Sequence, residues 1–211
     1  MPTTEPTRLG ALVTAAGASS RMGAPKGSLR LPGGGTLLEW QMSALESIPC
    51  LATLVDACLV TGAFPYAHPR ARTVHNPSWE EGRQSSLACG AQALLDGGGD
   101  LDAVLVLAID QPLTPRTLTA LLSVWRASEP SPQIPLAPSH DGRNGHPLLV
   151  PAVHLTELAA LGSAPDGLRA YRRARGFTAV PVPFPEVLRD LNDLAAWEAA
   201  VASGIFGDRP A

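Results

Sequence analysis

Aromatic residues are scarce in this 211-residue chain, at 5%, and its net charge is only −3 at pH 7. Together these shortages argue against nucleic-acid partners and against a polybasic membrane-surface protein. Long apolar runs are missing as well. The clearest, AVLVLAI at 103–109, has the length of a strand and is too short to span a bilayer. The opening MPTTEPTR lacks the apolar core of a secretory signal, so a cytoplasmic location is expected. Cysteine is limited to Cys50, Cys58 and Cys89, an odd number without C-x-x-C spacing. That speaks against a disulfide framework or a zinc cluster and reads as buried reduced thiols.

What the chain does have is apolar residues, 45% of the total, enough for the core of one domain. Its 20 glycines and 21 prolines punctuate apolar segments and do not gather into a linker. Continuous apolar runs predict strands at 9–14, 53–62 and 102–109, with shorter ones at 134–137, 147–150 and 177–182. Helices are predicted at 36–47, 83–96, 115–128, 152–161, 165–175 and 193–203, the second with Leu87, Ala91, Leu94 and Leu95 on one face. Strands alternating with helices predict a single-domain, three-layer α/β/α fold with a mostly parallel sheet. The domain is expected over 9–205, between a disordered segment 1–8 and a tail 206–211. In such sheets ligands bind at the carboxyl ends of the strands.

The first of those ends opens into TAAGASSRMGAPKGSL, residues 14–29. Small residues let backbone N–H groups approach a polyanion, and Arg21 and Lys26 add positive charge. Neither the Walker spacing nor G-x-G-x-x-G fits, and a flexible surface loop with two solvated cations explains the residues too. Ser85 and Ser86 stand near the start of the helix at 83–96, placed either to meet an anion or to cap it. Asp110 closes the buried strand VLAID. A carboxylate there is costly without a partner, and either magnesium or a following helix supplies one. No Ser–His pair suggests acyl transfer, and no general base stands out.

Residues 14–29 resemble the signature L-A-A-G-x-S-x-R-M-G-x-x-K of the molybdenum cofactor nucleotidyltransferases, with Thr14 in place of leucine. Four further segments match in order, and a fifth is more loosely similar. NPSWEEGRQSSLACG at 76–90 resembles N-P-x-W-x-x-G-x-x-S-S-L-x-x-G, and AIDQP at 108–112 carries Asp-Gln-Pro. GRNGHP at 142–147 resembles G-R-x-G-H-P. LRDLND at 188–193 resembles the closing D-I-D-T-P-E-D only loosely, with Asp193 where threonine is usual and Leu194 where proline is. APDGLRA at 164–170 is similar to G-D-x-G-A-R, with Leu168 replacing alanine.

The resemblance implies a nucleotidyltransferase (Rossmann-like) fold and transfer of a nucleotidyl group to the phosphate of molybdopterin-type cofactor. Nucleotide binding falls to Ala15, Ala16, Gly17, Ser19, Arg21, Lys26, Ser85 and Ser86. Catalytic charge comes from Arg21, Lys26 and Asp110. Gly145, His146, Asp166 and Arg169 take the acceptor side, with a loop histidine bonded to backbone as the other reading of His146. Mg2+ falls to Asp110 with Asp190 or Asn192, although Asn192 or Asp193 as a helix cap accounts for the last segment equally. Alanine at the loop's third residue, Ala16, implies CTP. ATP, GTP or another phosphorylated acceptor are the alternatives, as is a non-catalytic cofactor carrier. Expected partners are a molybdenum hydroxylase or its chaperone, met transiently by a monomer.

Overall fold

The computed structural model describes residues 5–48, 50–128, 132–162 and 167–207. Its centre is β1 (Thr7–Thr14), hydrogen-bonded in parallel to β2 (Ala52–Thr61) on one side and β4 (Ala103–Ala108) on the other. The edge strand β3 (Arg72–His75) extends the parallel half beyond β2. Beyond β4 the sheet turns mixed. β7 (Leu148–Pro151) runs antiparallel between β4 and β5 (Leu136–His140), because the short excursion through β6 (Arg143–Asn144) reverses the chain. The order is β3-β2-β1-β4-β7-β5-β6, and β8 (Thr178–Pro181) pairs in parallel with β5.

Alternation along the strands divides the core. Ala11, Val13, Leu105 and Leu107 face α1 (Leu37–Glu46) and α3 (Pro115–Ala127), whose Leu38, Met42, Leu118 and Trp125 close one layer. Leu12, Val60, Val104 and Val106 face α2 (Arg83–Asp96), α4 (Leu155–Ala159) and α5 (Gly167–Arg175). The three-layer expectation therefore holds. Leu87, Ala91 and Leu94 are buried on α2 as expected, but Leu95 is exposed, since one more residue turns the helix face past the sheet. A third apolar cluster joins Met22, Leu37, Trp40 and Leu191 to Trp197 of α6 (Leu194–Ala202) and to Phe206.

The helix starts are written locally. Thr36 and Glu39 form a reciprocal capping box on α1, and Thr114 caps α3 ahead of Pro115. Asp193 Oδ1 accepts from Ala196 N at 2.9 Å and caps α6, so of the two candidate caps it is Asp193.

Several boundaries differ from expectation. Thr7 and Arg8 belong to β1 and not to a leading segment, because Arg8 is held by Asp100 and by Asp102, whose Oδ1 lies 2.9 Å away. Phe206 lies in the third cluster and so belongs to the domain, not to a tail. The helix expected at 152–161 is a 3-10 turn, Ala152–His154, followed by α4. Cys58 is buried and its thiol is pushed up to about 12 by burial, whereas Cys50 is exposed.

Candidate active site

β1 and β4 are adjacent and parallel, so the loops that leave them emerge side by side. The first is pinned at its start. Ala15 N donates to Val60 O at 2.8 Å, and Ala16 O accepts from Ala63 N at 3.0 Å. Gly62 allows this approach: a Cβ there would lie 2.7 Å from Ala16 O and 2.6 Å from Trp79 Cβ. Further along, Ser19 holds a left-handed φ of 54° and its Oγ accepts from Lys26 N at 3.2 Å. Gly27 N donates to the Tyr66 hydroxyl at 3.1 Å. Met22, between those two points, anchors the loop in the third apolar cluster.

The loop from β4 is braced from behind. The fully buried Gln41 donates to Ile109 O and Gln111 O and accepts from Leu113 N. Gln111 accepts from Ala108 N and donates its Nε2 to Asp190 Oδ1 at 2.9 Å. Leu191 N donates to Asp110 O at 2.8 Å, which draws the segment before α6 against the end of β4.

Where these loops meet, Lys26 Nζ lies 2.7 Å from Asp110 Oδ2 and 3.1 Å from Asn192 Oδ1. The lysine and aspartate side chains are only 12% and 10% exposed. Asp110 Oδ1 is buried and has no hydrogen-bond partner among the described residues. Burying half a carboxylate unpaired is unfavourable, and a partially desolvated pair contributes little net stability. Asp110 Oδ1 is thus a free acceptor just beyond the end of β4.

Beside the pair lies a cavity of about 270 Å³. It is lined by Ala15, Ala16, Gly17, Ser19 and Lys26 of the first loop, by Asp110, and by Tyr66, Trp79, Glu80, Gly82, Arg83 and Ser86. A larger hollow of about 700 Å³ lies elsewhere, over Trp40, Thr114, Arg116 and Glu186. Its buried carboxylate is already paired, with Arg116 Nε 2.8 Å from Glu186 Oε1, and none of its described lining residues belongs to a strand. The smaller cavity is therefore the candidate.

The expected residues divide. Ser86 lines the cavity and Ser85 does not: the Ser85 hydroxyl accepts from Asn76 Nδ2 at 2.9 Å and faces the Ser78 and Gly82 carbonyls at 2.8 Å. Arg21 is exposed and lies off the cavity wall. Asn192 reaches Lys26, while the exposed Asp190 is held by Gln111. Gly145 and His146 are fastened to the 3-10 turn Pro185–Leu188, with His146 N donating to Val187 O at 2.8 Å. Burial lowers the His146 pKa, and Arg83 and Arg172 push the same way against Asp190 and Asp110. The imidazole is thus held towards its neutral form, and His146 is not among the residues that line the cavity. Arg169 is exposed on α5, and Asp166 lies outside the described residues.

Tyr66 and Arg83 were not anticipated. Arg83 follows the glycine of the 76–90 motif, a position that motif leaves open, and Tyr66 lies in an unpatterned stretch between β2 and β3. Among the described residues no group of three or more His, Cys, Asp or Glu is placed to hold a metal, and no helix is long and apolar enough to cross a membrane.

Comparison with known proteins agrees with this fold. The backbone superposes on an Rv0371c homologue from Mycobacterium sp. strain JC1 with a TM-score of 0.72, at 21% identity over 94% of this chain and 97% of that one. A nucleotidyl transferase from Methanothermobacter, Mth528, gives 0.70 at 21% identity, covering 95% and 99%. Rv0371c of Mycobacterium tuberculosis H37Rv in complex with manganese gives 0.66 at 18%, covering 93% and 100%. No curated protein sequence matches significantly. The model of the MobA-like NTP transferase domain matches residues 11–179, from β1 through the cavity walls and into β8. The chain belongs to that family and is a nucleotidyltransferase.

Proposed function

We propose that the protein transfers a cytidylyl group from CTP to the terminal phosphate of molybdopterin-type cofactor, releasing pyrophosphate. The observation that carries this reading is the Lys26–Asp110 pair at the ends of two parallel strands, with Asp110 Oδ1 left unpartnered beside a polar cavity. The wall carries two cations, Lys26 and Arg83, for phosphate oxygens, with Asp110 and Glu80 as its carboxylates, and the reading assigns no general base. None is needed, because a phosphate monoester has a second pKa near 6 and is already largely a dianion at neutral pH.

In the reaction an acceptor phosphate oxygen forms a bond to the α-phosphorus, and the bond from that phosphorus to the bridging oxygen breaks, so that pyrophosphate leaves. The chain must align two mutually repelling anions and balance the charge that develops. Lys26 supplies a mobile ammonium, and the small residues Ala16 and Gly17 line the same cavity. Arg83, also on the wall, supplies a guanidinium for phosphate oxygens of either substrate. Arg21, off the wall, requires a side-chain swing to join them.

A divalent ion suits the donor set. Asp110 offers a buried free oxygen, Asn192 an amide oxygen, and the nucleotide the remaining ligands, the sparse protein coordination typical of Mg2+. When bound, the ion would neutralise charge on the phosphates. The manganese complex of the structurally similar Rv0371c supports a divalent-metal reading. Ala16, whose methyl narrows the loop where glycine leaves room, favours CTP over a purine nucleotide.

The test is pyrophosphate release with Mg2+ and molybdopterin-type cofactor, with CTP, ATP and GTP in parallel. Release with CTP alone supports the reading. Release with a purine nucleotide overturns the base, and release only with a different phosphorylated acceptor overturns the substrate. Tight cofactor binding without release identifies a carrier instead.

A further inference from the structure

We propose that in the substrate-free protein the Lys26 ammonium occupies the cation position of the active site, and that triphosphate binding draws it away, so that the divalent ion enters with the nucleotide and not before. This rests on the reading of Asp110 and Asn192 as the cation-binding side chains. Lys26 Nζ holds an oxygen of each, at 2.7 and 3.1 Å. An ammonium at those distances and a divalent cation on the same two side chains are like charges in a site only about a tenth exposed, where water screens them poorly. They exclude one another.

The geometry also provides the way out. Lys26 is fixed through its backbone, with its N–H on Ser19 Oγ and the neighbouring Gly27 N–H on the Tyr66 hydroxyl. Its four-carbon stem is free to move the ammonium while those anchors stay. Both Lys26 and the loop Ala15–Gly17 line the cavity, so a triphosphate held there places several anionic oxygens within reach. Once the ammonium leaves, Asp110 has both oxygens unpaired in a nearly buried site, an arrangement that strongly favours a replacement cation. Nucleotide and metal binding are then coupled, and coupling between sites is reciprocal.

The chain offers an unusually direct readout, because Lys26 is its sole lysine among 16 Lys and Arg residues. In wild-type protein labelled with 13C at the lysine ε position, a single side-chain signal reports on this residue. CTP with EDTA is expected to shift it and Mg2+ alone to leave it in place. A shift with Mg2+ alone, or none with CTP, overturns the exchange.

The second measurement is Mn2+ affinity of the nucleotide-free protein by electron paramagnetic resonance. Lys26→Met is expected to bind Mn2+ on the order of tenfold or more tighter than wild type, a coupling of ordinary size. Unchanged affinity overturns the exchange. Adding Asp110→Asn to Lys26→Met separates the two ideas. Loss of Mn2+ binding upholds the carboxylate as the cation seat whether or not the exchange survives. Retention of tight Mn2+ binding in the double variant overturns the metal assignment, and the exchange with it.

Discussion

Gln111 donates its side-chain amide to Asp190 Oδ1 across 2.9 Å, joining residues 79 positions apart and setting the segment before α6 against the end of β4. Asn192, two residues on, owes its place beside Lys26 partly to this clip. Gln111→Leu removes the clip while leaving Asp110 in place. Turnover and Mn2+ affinity in the presence of CTP are expected to fall about 10- to 100-fold, the usual cost of losing a group that orients a ligand. If both stay at wild-type levels, the clip does not position Asn192.

Asp110→Asn separates function from folding. Turnover is expected to fall about a hundredfold or more, the scale of losing one preorganised electrostatic group. The urea midpoint is expected to change little, because the freed Lys26 ammonium swings towards the open cavity. Full turnover in Mg2+ would remove Asp110 from the reaction.

Gly145→Ala acts in the opposite sense. An added Cβ would lie 2.1 Å from Val187 O, on the backbone that also receives His146 N. Overpacking of this kind costs about 1–3 kcal/mol or more, and the bond to Val187 is displaced with it. Urea denaturation should register that loss even with no substrate present, and an unchanged midpoint would mean that the 185–188 turn yields freely.

A pH dependence follows from His154. Its Nδ1 lies 2.7 Å from the Tyr171 hydroxyl, and burial, aided by Arg175 and opposed by Glu157, lowers its pKa below the ordinary 6.5. A histidine held neutral by folding contributes stability that is fully present above 6.5 and is lost as the pH falls through the interval below it. Wild-type unfolding free energy should therefore drop between pH 7 and pH 5 more steeply than that of His154→Gln. Parallel pH profiles would assign the dependence elsewhere.

Much of this was legible in the sequence because it is local. Apolar runs located β1, β2 and β4, and motifs placed Lys26 and Asp110 at strand ends. The edge strand β3 escaped because three of its four residues are exposed, which leaves no apolar run to read. Ser85 and Ser86 differ only by helix phase: one step of about 100° turns Ser86 towards the cavity and Ser85 towards the carbonyls of its own turn. Tyr66 and the Lys26–Asn192 bond depend on contacts 39 and 166 residues apart, and no local pattern encodes them.

The third apolar cluster has a consequence for the life of the chain. Met22, in the loop after β1, finds its packing among Leu191, Trp197 and Phe206, which follow every strand of the sheet in the chain. During synthesis the sheet's parallel half therefore has all its strands well before this loop has its anchor. A chain cut short before Leu191 would hold the fold's centre while leaving that loop without the packing that fixes it.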